Sequence, residues 1–87
     1  MNQTPFSFRI AGGFPVNRNS DFFRGLTSCG KRGGKALYKD KDGDYVQWDS
    51  LHGEWEKYNK HGRHIGVLKA DGLDSGKDAV KGRRITI

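Results

Sequence analysis

Short stretches of alternating polar and apolar residues, separated by turn-forming residues, dominate the chain from residue 36 onward. Alternation with a period of two puts apolar side chains on one face of a β-strand, and Asp-Gly pairs between such stretches are typical of tight hairpins. The pattern therefore predicts an antiparallel meander. Its predicted strands are residues 36–39, Tyr45–Asp49, Glu54–Tyr58, His64–Leu68 and a closing strand over residues 83–87.

Turns are predicted over residues 40–43, 50–53 and 61–62, and a polar, glycine-containing loop over residues 70–80. Asp40, Asp42 and Asp44 have the alternating spacing of a calcium loop. The later glutamate and the flanking helices of an EF-hand are missing, so we interpret this segment as a turn.

The first 35 residues form a less regular part of the predicted fold. Alternation over residues 6–10 predicts a strand, and Ser20 or Asp21 is expected to cap a short helix that ends at Gly25 or Gly30. Residues 30–35 are basic and rich in glycine. They do not match the Walker pattern, so we interpret them as a flexible linker rather than a phosphate-binding loop.

Length and charge restrict what the chain can be. Its 87 residues predict one domain, 1–87, with a modest core. A formal net charge of +6 favours a nucleic acid partner, although basicity can also serve solubility alone. The single cysteine, Cys29, excludes an internal disulfide and is expected to be inert. We expect no transmembrane helix, secretory signal, metal or cofactor, and a monomer when the domain is free.

The two central strands predict one specific pairing. With a turn over residues 50–53, Asp49 faces Glu54, Trp48 faces Trp55, and Gln47 faces Glu56. The tryptophans then share a buried face with Val46 and the stem of Lys57. The opposite face carries tyrosines, a glutamine and carboxylates: Tyr45, Gln47, Asp49, Glu54, Glu56 and Tyr58.

The carboxylates on that polar face suggest chemistry. Like charges on neighbouring strands destabilise a sheet, yet three carboxylates cluster here in a basic protein, with His52 in the adjacent turn. Carboxylates and an imidazole supply a general base and a general acid near neutral pH. Such a set suits metal-independent RNA cleavage by the 2′-hydroxyl. A solvated face with an ordinary turn histidine is the plain structural alternative.

The central motif resembles that of the cloacin family, the cytotoxic domains of ribosome-inactivating colicins. The resemblance covers residues 36–87 and rests on a central string, on Arg63-His64-Ile65-Gly66 and on the basic ending Gly82-Arg83-Arg84-Ile85. The central string is Tyr45-x-x-Trp48-Asp49-Ser50-x-His52-Gly53-Glu54-x-Glu56-x-Tyr58.

This resemblance implies a small, mainly β (α+β) domain with a highly twisted antiparallel sheet and a short helical or irregular N-terminal segment. It implies cleavage of 16S ribosomal RNA in the decoding centre of the small subunit, which stops translation. It also implies neutralisation by an acidic immunity protein. Delivery is expected as part of a larger secreted or cell-surface toxin, a colicin or a contact-dependent inhibition system, with action in the target-cell cytoplasm.

The resemblance also implies the roles of individual residues. Asp49, His52, Glu56 and Arg83 match the catalytic positions, with Arg84 as the alternative cation. Glu56 is expected to be the base, His52 the acid or the phosphate-binding cation, and Asp49 the group that orients His52. The base and acid roles could be exchanged. Further substrate contacts are expected from Glu54, Tyr45, Tyr58, Arg84 and Lys57.

Three alternatives stay open at this point. One is a non-catalytic basic RNA-binding module, and another is a toxin ribonuclease with a different target such as tRNA. The third is a metal-dependent nuclease using Asp49, Glu54 and Glu56. His61 is expected to be a solvated turn residue, and the pattern does not decide whether His64 supports the fold or contacts RNA. Neither histidine has zinc-ligand spacing with Cys29.

Overall fold

A computed structural model of the protein describes residues 13–87. The strand predicted over residues 6–10 lies outside the described residues. Within residues 13–87, six elements follow one another, one short helix and five strands: α1 (Asp21–Arg24), β1 (Thr27–Arg32), β2 (Lys35–Lys39), β3 (Tyr45–Asp49), β4 (Glu54–Tyr58) and β5 (His64–Leu68). The strands form one antiparallel sheet in the order β1-β2-β3-β4-β5. The fold is mainly β, as the pattern of alternation predicted.

Helix α1 begins where its capping residue predicted. The Ser20 hydroxyl accepts a hydrogen bond from the Phe23 amide at 3.1 Å, and Gly25 ends the helix. Asp21 in the first turn and Arg24 in the last turn suit the helix dipole. The helix positions Phe22 and Phe23 over the sheet, where both rings contact Trp55.

The main core lies between α1 and one face of the sheet. Val46, Trp55 and Leu68 are buried there, and partly buried side chains pack around them. Trp48 and Trp55 meet edge-to-face with their ring centroids 4.9 Å apart. Aromatic side chains bury large areas, which is how a chain with only 33% hydrophobic residues holds a core.

The opposite face of the sheet is covered by the C-terminal segment, residues 75–87. The Ser75 amide donates to the Val67 carbonyl, and the Ile85 amide donates to the Gly62 carbonyl beside β5. The Arg32 Nε then donates to the Thr86 carbonyl at the end of β1. Because β5 and β1 are the two edge strands, the last residues cross the sheet from one edge to the other.

Two sequence predictions are corrected here. Residues 30–35 are not a linker, because Arg32 ends β1, Lys35 begins β2, and Gly33-Gly34 form the turn between them. Both glycines have positive φ (61° and 80°), the conformation that matches the twist of a two-residue hairpin.

Residues 83–87 do not form the predicted closing strand. Their pairing with the sheet is limited to a single bridge between Arg63 and Arg84. The segment leaves the sheet edge after this bridge, and the Thr86 carbonyl is satisfied by the Arg32 side chain instead of a strand. In residues 13–87 no helix has the length and apolar character needed to cross a membrane.

Candidate active site

The β3–β4 hairpin has the predicted register. Asp49 pairs with Glu54, Trp48 with Trp55, and Gln47 with Glu56. Since side chains alternate across a strand, the tryptophans enter the core while Asp49 and Glu56 lie on the opposite face. The register thus separates a structural side of the hairpin from a polar side.

Asp49 holds His52 in a defined orientation. One carboxylate oxygen, Oδ1, accepts the amides of Leu51 and His52, and Oδ2 lies 2.7 Å from Nδ1 of the His52 ring. A carboxylate only accepts hydrogen bonds, so Nδ1 carries the hydrogen. The His52 side chain is 58% exposed, and its Nε2 makes no hydrogen bond with residues 13–87. This nitrogen is available to a substrate.

The same contacts shift the pKa of Asp49. Burial alone would raise it, but the hydrogen bonds from the His52 ring and from the amides of His52 and Leu51 outweigh burial. The pKa therefore lies below the ordinary value of 3.8. Asp49 is ionised at neutral pH and places a negative charge beside the imidazole.

Glu56 is held by two residues that come from later in the chain. Its Oε1 lies 2.7 Å from Nε2 of His64 and 3.1 Å from Nη1 of Arg83. The other oxygen, Oε2, receives no hydrogen bond from residues 13–87. Glu56 is thus anchored through one oxygen and open at the other.

His64 is a residue whose role the sequence left undecided. Its side chain is fully buried, and its Nδ1 accepts the Val80 amide at 2.9 Å. Because Nδ1 accepts, Nε2 must carry the hydrogen that is donated to Glu56. The backbone amide of His64 also donates to the Arg83 carbonyl at 3.0 Å. One residue therefore fixes both Glu56 and the segment that carries Arg83.

A groove of about 280 Å³ brings several of these groups together. Asp49, Glu56, Tyr58 and Arg83, four of the residues named from the sequence, line it, whereas His52 does not. Lys35, Gln47 and Trp48 complete the lining. Lys35 was missed because residues 30–35 were interpreted as a linker.

Gln47 is a buried residue in the lining of the groove, and hydrogen bonds hold its side chain in place. It is 6% exposed, and its Nε2 donates to the carbonyls of Arg32 at 3.0 Å and Lys35 at 3.4 Å. These bonds tie the β1–β2 hairpin to β3. The position of Lys35 relative to Asp49 and Glu56 is therefore set by a buried amide.

The tyrosines predicted to contact substrate have different environments. Tyr58 is 5% exposed and its ring packs against His64, so the ring offers no open face to a base. Burial and the charge of Glu56 raise the pKa of Tyr58 above 10.0, although Arg83 opposes this, so its hydroxyl stays protonated at neutral pH. Tyr45 is partly exposed, with Lys39 Nζ 5.5 Å from its ring centroid.

Glu54 and Lys57 lie apart from the groove. Lys77 Nζ donates to Glu54 Oε1 at 2.9 Å, which raises the pKa of Lys77. Lys77 belongs to a segment that was predicted only as a loop. Lys57 is on the α1 side of the sheet, 3.7 Å and 3.6 Å from the carboxylates of Asp40 and Asp44. The structure does not bring Lys57 to the site, because β-strand alternation turns it away from Glu56.

The three carboxylates of the polar face do not share one position. Asp49 pairs with His52, Glu54 with Lys77, and Glu56 with His64 and Arg83. Within residues 13–87, no group of three or more His, Cys, Asp or Glu side chains is arranged to hold a metal ion. The arrangement instead offers an imidazole and an open carboxylate oxygen, which are groups of general acid–base chemistry, and a guanidinium, which can stabilise negative charge.

The segment before α1 braces the turn that carries His52. The Phe14 amide donates to the Ser50 carbonyl, and Trp48 Nε1 donates to the Phe14 carbonyl, both at 2.7 Å. Gly53 has a φ of 69°, and a Cβ there would come within 3.0 Å of the Phe14 ring. The sequence pattern did not predict these contacts of Phe14, since they join distant parts of the chain.

The chain belongs to the Cytotoxic family, whose profile matches residues 24–86, more than half of the chain. It is therefore a toxin domain. The matched region begins within α1 and includes the β1–β2 hairpin, ahead of the boundary at residue 36 that the sequence resemblance suggested. Comparison with curated proteins and with solved structures gave no match.

The first prediction concerns Asp49 and pH. A carboxylate with a lowered folded-state pKa stabilises the fold above its unfolded pKa, and this contribution is lost as the pH falls through the folded value. We expect Asp49→Asn to be less stable than the wild type at neutral pH, with the difference shrinking below about pH 3.8. Urea unfolding across the acid range measures this difference. A difference that stays constant down to the acid limit would contradict the assigned contacts.

The second prediction concerns the tautomer of His64. Long-range ¹H–¹⁵N correlation spectra should show the hydrogen on Nε2 for His64 and on Nδ1 for neutral His52. His64→Phe should lower the free energy of unfolding by about 1–3 kcal/mol, since it leaves the Val80 amide without its acceptor and removes one of the two donors to Glu56 Oε1. His61→Phe, at an exposed turn, is the matched control. Equal effects of the two substitutions would argue against the hydrogen bonds assigned to the buried His64 side chain.

Proposed function

We propose that this toxin domain is an endoribonuclease that cleaves RNA without a metal ion, through attack of a 2′-hydroxyl on the adjacent phosphorus. The observation that carries the proposal is the groove in which Glu56 presents one free oxygen beside Arg83, and which is also lined by Asp49, the partner of the His52 ring. Base and cation thus come from β4 and the C-terminal segment and share one groove, and Asp49 links that groove to the acid, His52.

Glu56 Oε2 suits the role of general base. It accepts the proton of the 2′-hydroxyl while Oε1 stays anchored by His64 and Arg83. A base held in one orientation loses little freedom when the substrate binds, which favours catalysis. The 2′-oxygen then forms a bond to phosphorus, and negative charge develops on the phosphoryl oxygens.

Arg83 and His52 suit the remaining roles. Arg83 donates from Nη1 to Glu56, and its side chain is 46% exposed, so its other nitrogens can bind the phosphoryl oxygens. His52 Nε2 donates a proton to the 5′-oxygen as its bond to phosphorus breaks. The ionised Asp49 stabilises the imidazolium form that this step requires. The products are a 2′,3′-cyclic phosphate and a 5′-hydroxyl. An exchange of the base and acid roles would give the same products.

The substrate we propose is 16S ribosomal RNA within the small subunit. Support comes from membership in the Cytotoxic family, from the resemblance of the Tyr45–Tyr58 region to the ribosome-inactivating motif, and from the net charge of +6. DNA lacks the 2′-hydroxyl and cannot react by this route. tRNA is a second candidate, because the groups in the groove act on any RNA backbone.

The biological setting follows from the same proposal. A toxin domain that cleaves ribosomal RNA acts in the cytoplasm of a target cell and must be delivered by a larger secreted or cell-surface protein. The producing cell needs protection, and a basic domain suits an acidic immunity protein. Both colicin-type and contact-dependent delivery are compatible with this domain.

The test is cleavage of purified ribosomes in the presence of EDTA. The wild type should release one 3′ fragment of the small-subunit RNA. His52→Ala and Glu56→Gln should each slow cleavage by about 10²–10⁴-fold, the usual contribution of a general acid or base.

Matched variants separate chemistry from a general loss of charge or histidine. His61→Ala and Asp42→Asn change the same residue types at exposed turns and should cleave at the wild-type rate. Intact RNA at micromolar wild-type protein would refute the proposal. Binding without cleavage would favour a non-catalytic RNA-binding module, and cleavage abolished by EDTA would favour a metal-dependent nuclease.

A further inference from the structure

A second groove continues the active-site groove toward the β1–β2 hairpin. It has a volume of about 370 Å³ and is lined by Arg32, Gly33, Lys35, Gln47, Arg84, Ile85 and Thr86. Lys35 and Gln47 line both grooves. The two therefore form one furrow across the face of the sheet, between the hairpin and the C-terminal segment.

The second groove is purely cationic among its charged residues. Arg32, Lys35 and Arg84 line it, and no carboxylate does. The active-site groove, in contrast, contains Asp49 and Glu56. A polyanion entering the furrow would be repelled by these two carboxylates and needs cations beside them to remain bound.

These cations are not neutralised by the described part of the protein. Lys35 and Arg84 are exposed and form no ion pair with any carboxylate of residues 13–87. Arg32 donates to the carbonyls of Thr86, Cys29 and Lys31, which are neutral groups. The Arg32 guanidinium is therefore fixed in position, and none of these bonds neutralises its positive charge.

The α1 side of the sheet differs from the second groove in carrying carboxylates among its charged residues. A pocket there is lined by Asp21, Asp40, Asp42 and Asp71 together with Lys41 and Lys57, and Lys57 bridges Asp40 and Asp44. A phosphate backbone therefore meets only positive charge in the second groove and charges of both signs in the pocket on the α1 side. The asymmetry sets the orientation in which RNA approaches the domain.

We propose that the furrow beyond Lys35 binds the RNA backbone next to the scissile phosphate, with Lys35 and Arg84 contacting phosphates and Arg32 adding fixed positive charge. The inference rests on the proposed function for the identity of its ligand. Its consequence is that affinity for RNA comes from the β1–β2 hairpin and the C-terminal segment, while the β3–β4 hairpin supplies the acid and the base. Phosphate contacts of this kind are independent of sequence and fix the register of the strand.

The experiment measures binding of a fluorescently labelled single-stranded RNA of mixed sequence to the Glu56→Gln protein at several salt concentrations. Mixed sequence suffices because phosphates, not bases, are contacted. Each phosphate contact with single-stranded nucleic acid contributes about 0.7 to the slope of log affinity against log salt. The slope is negative, and Lys35→Gln and Arg84→Gln should each reduce its magnitude by about that amount. The double variant should reduce the magnitude by about twice as much.

Lys31→Gln is the matched control. Lys31 pairs with Ala36 while Arg32 pairs with Lys35, so Lys31 points to the other face of the same hairpin, and it lines neither groove. It should leave the slope unchanged. Circular dichroism spectra check that each variant keeps its fold. Lys35→Arg keeps the positive charge and should therefore show the wild-type slope.

Failure of this inference is distinguishable from failure of the proposed function. If Lys35→Gln and Arg84→Gln bind with the wild-type salt slope while the protein with an intact Glu56 cleaves ribosomes, the furrow is not the backbone site and the ribonuclease proposal stands. If both variants reduce the magnitude of the slope but the intact protein cleaves no RNA, the backbone site stands and the ribonuclease proposal falls. Equal losses from the Lys31 and Lys35 substitutions would overturn the furrow, since they would reflect net charge alone.

Discussion

The contact between Trp48 and Trp55 holds the β3–β4 hairpin in the one register on which the polar face depends. A slip of one residue would exchange the two faces of a strand and carry Asp49 or Glu56 into the core. The two rings meet at 4.9 Å, and Phe22 and Phe23 from α1 also contact Trp55. The chemistry on one side of the hairpin is thus fixed by aromatic packing on the other.

Two imidazoles serve the polar face in opposite ways. His52 is exposed and donates from Nδ1 to Asp49, which leaves Nε2 toward solvent. His64 is buried, accepts the Val80 amide at Nδ1, and donates from Nε2 to Glu56. The exposed imidazole can exchange a proton with a ligand, whereas the buried one holds a carboxylate in position. The C-terminal segment provides both Val80 and Arg83, so the site is completed only when that segment lies across the sheet.

The sequence was most informative where short-range rules operate. Alternation around Trp48 and Trp55 predicted the strands, the register and the faces of the central hairpin, and Ser20 predicted the start of α1. Gly33-Gly34 was interpreted as flexibility, although two glycines with positive φ also suit a tight hairpin. That error concealed Lys35 from the predicted site.

Contacts between distant segments could not be predicted in the same way. The position of His64 opposite Tyr58 depends on an irregularity in the β4–β5 pairing next to Lys57, which shifts the register by an amount that alternation does not reveal. Lys77 and Val80 reach the polar face from a loop without periodicity. The path of residues 83–87 depends on the Arg32 side chain. Its Nε donates a hydrogen bond to the Thr86 carbonyl, in the place of the backbone amide of a regular strand.

The central claim is that Glu56 and His52 direct a 2′-hydroxyl against phosphorus. The chemical ends of the cleaved RNA test it most directly. Ribosomes treated with the wild-type protein in EDTA should yield an upstream fragment ending in a 2′,3′-cyclic phosphate and a downstream fragment beginning with a 5′-hydroxyl, both identified by mass spectrometry. A 3′-hydroxyl opposite a 5′-phosphate would contradict the account, because those ends arise from attack by water rather than by the 2′-oxygen.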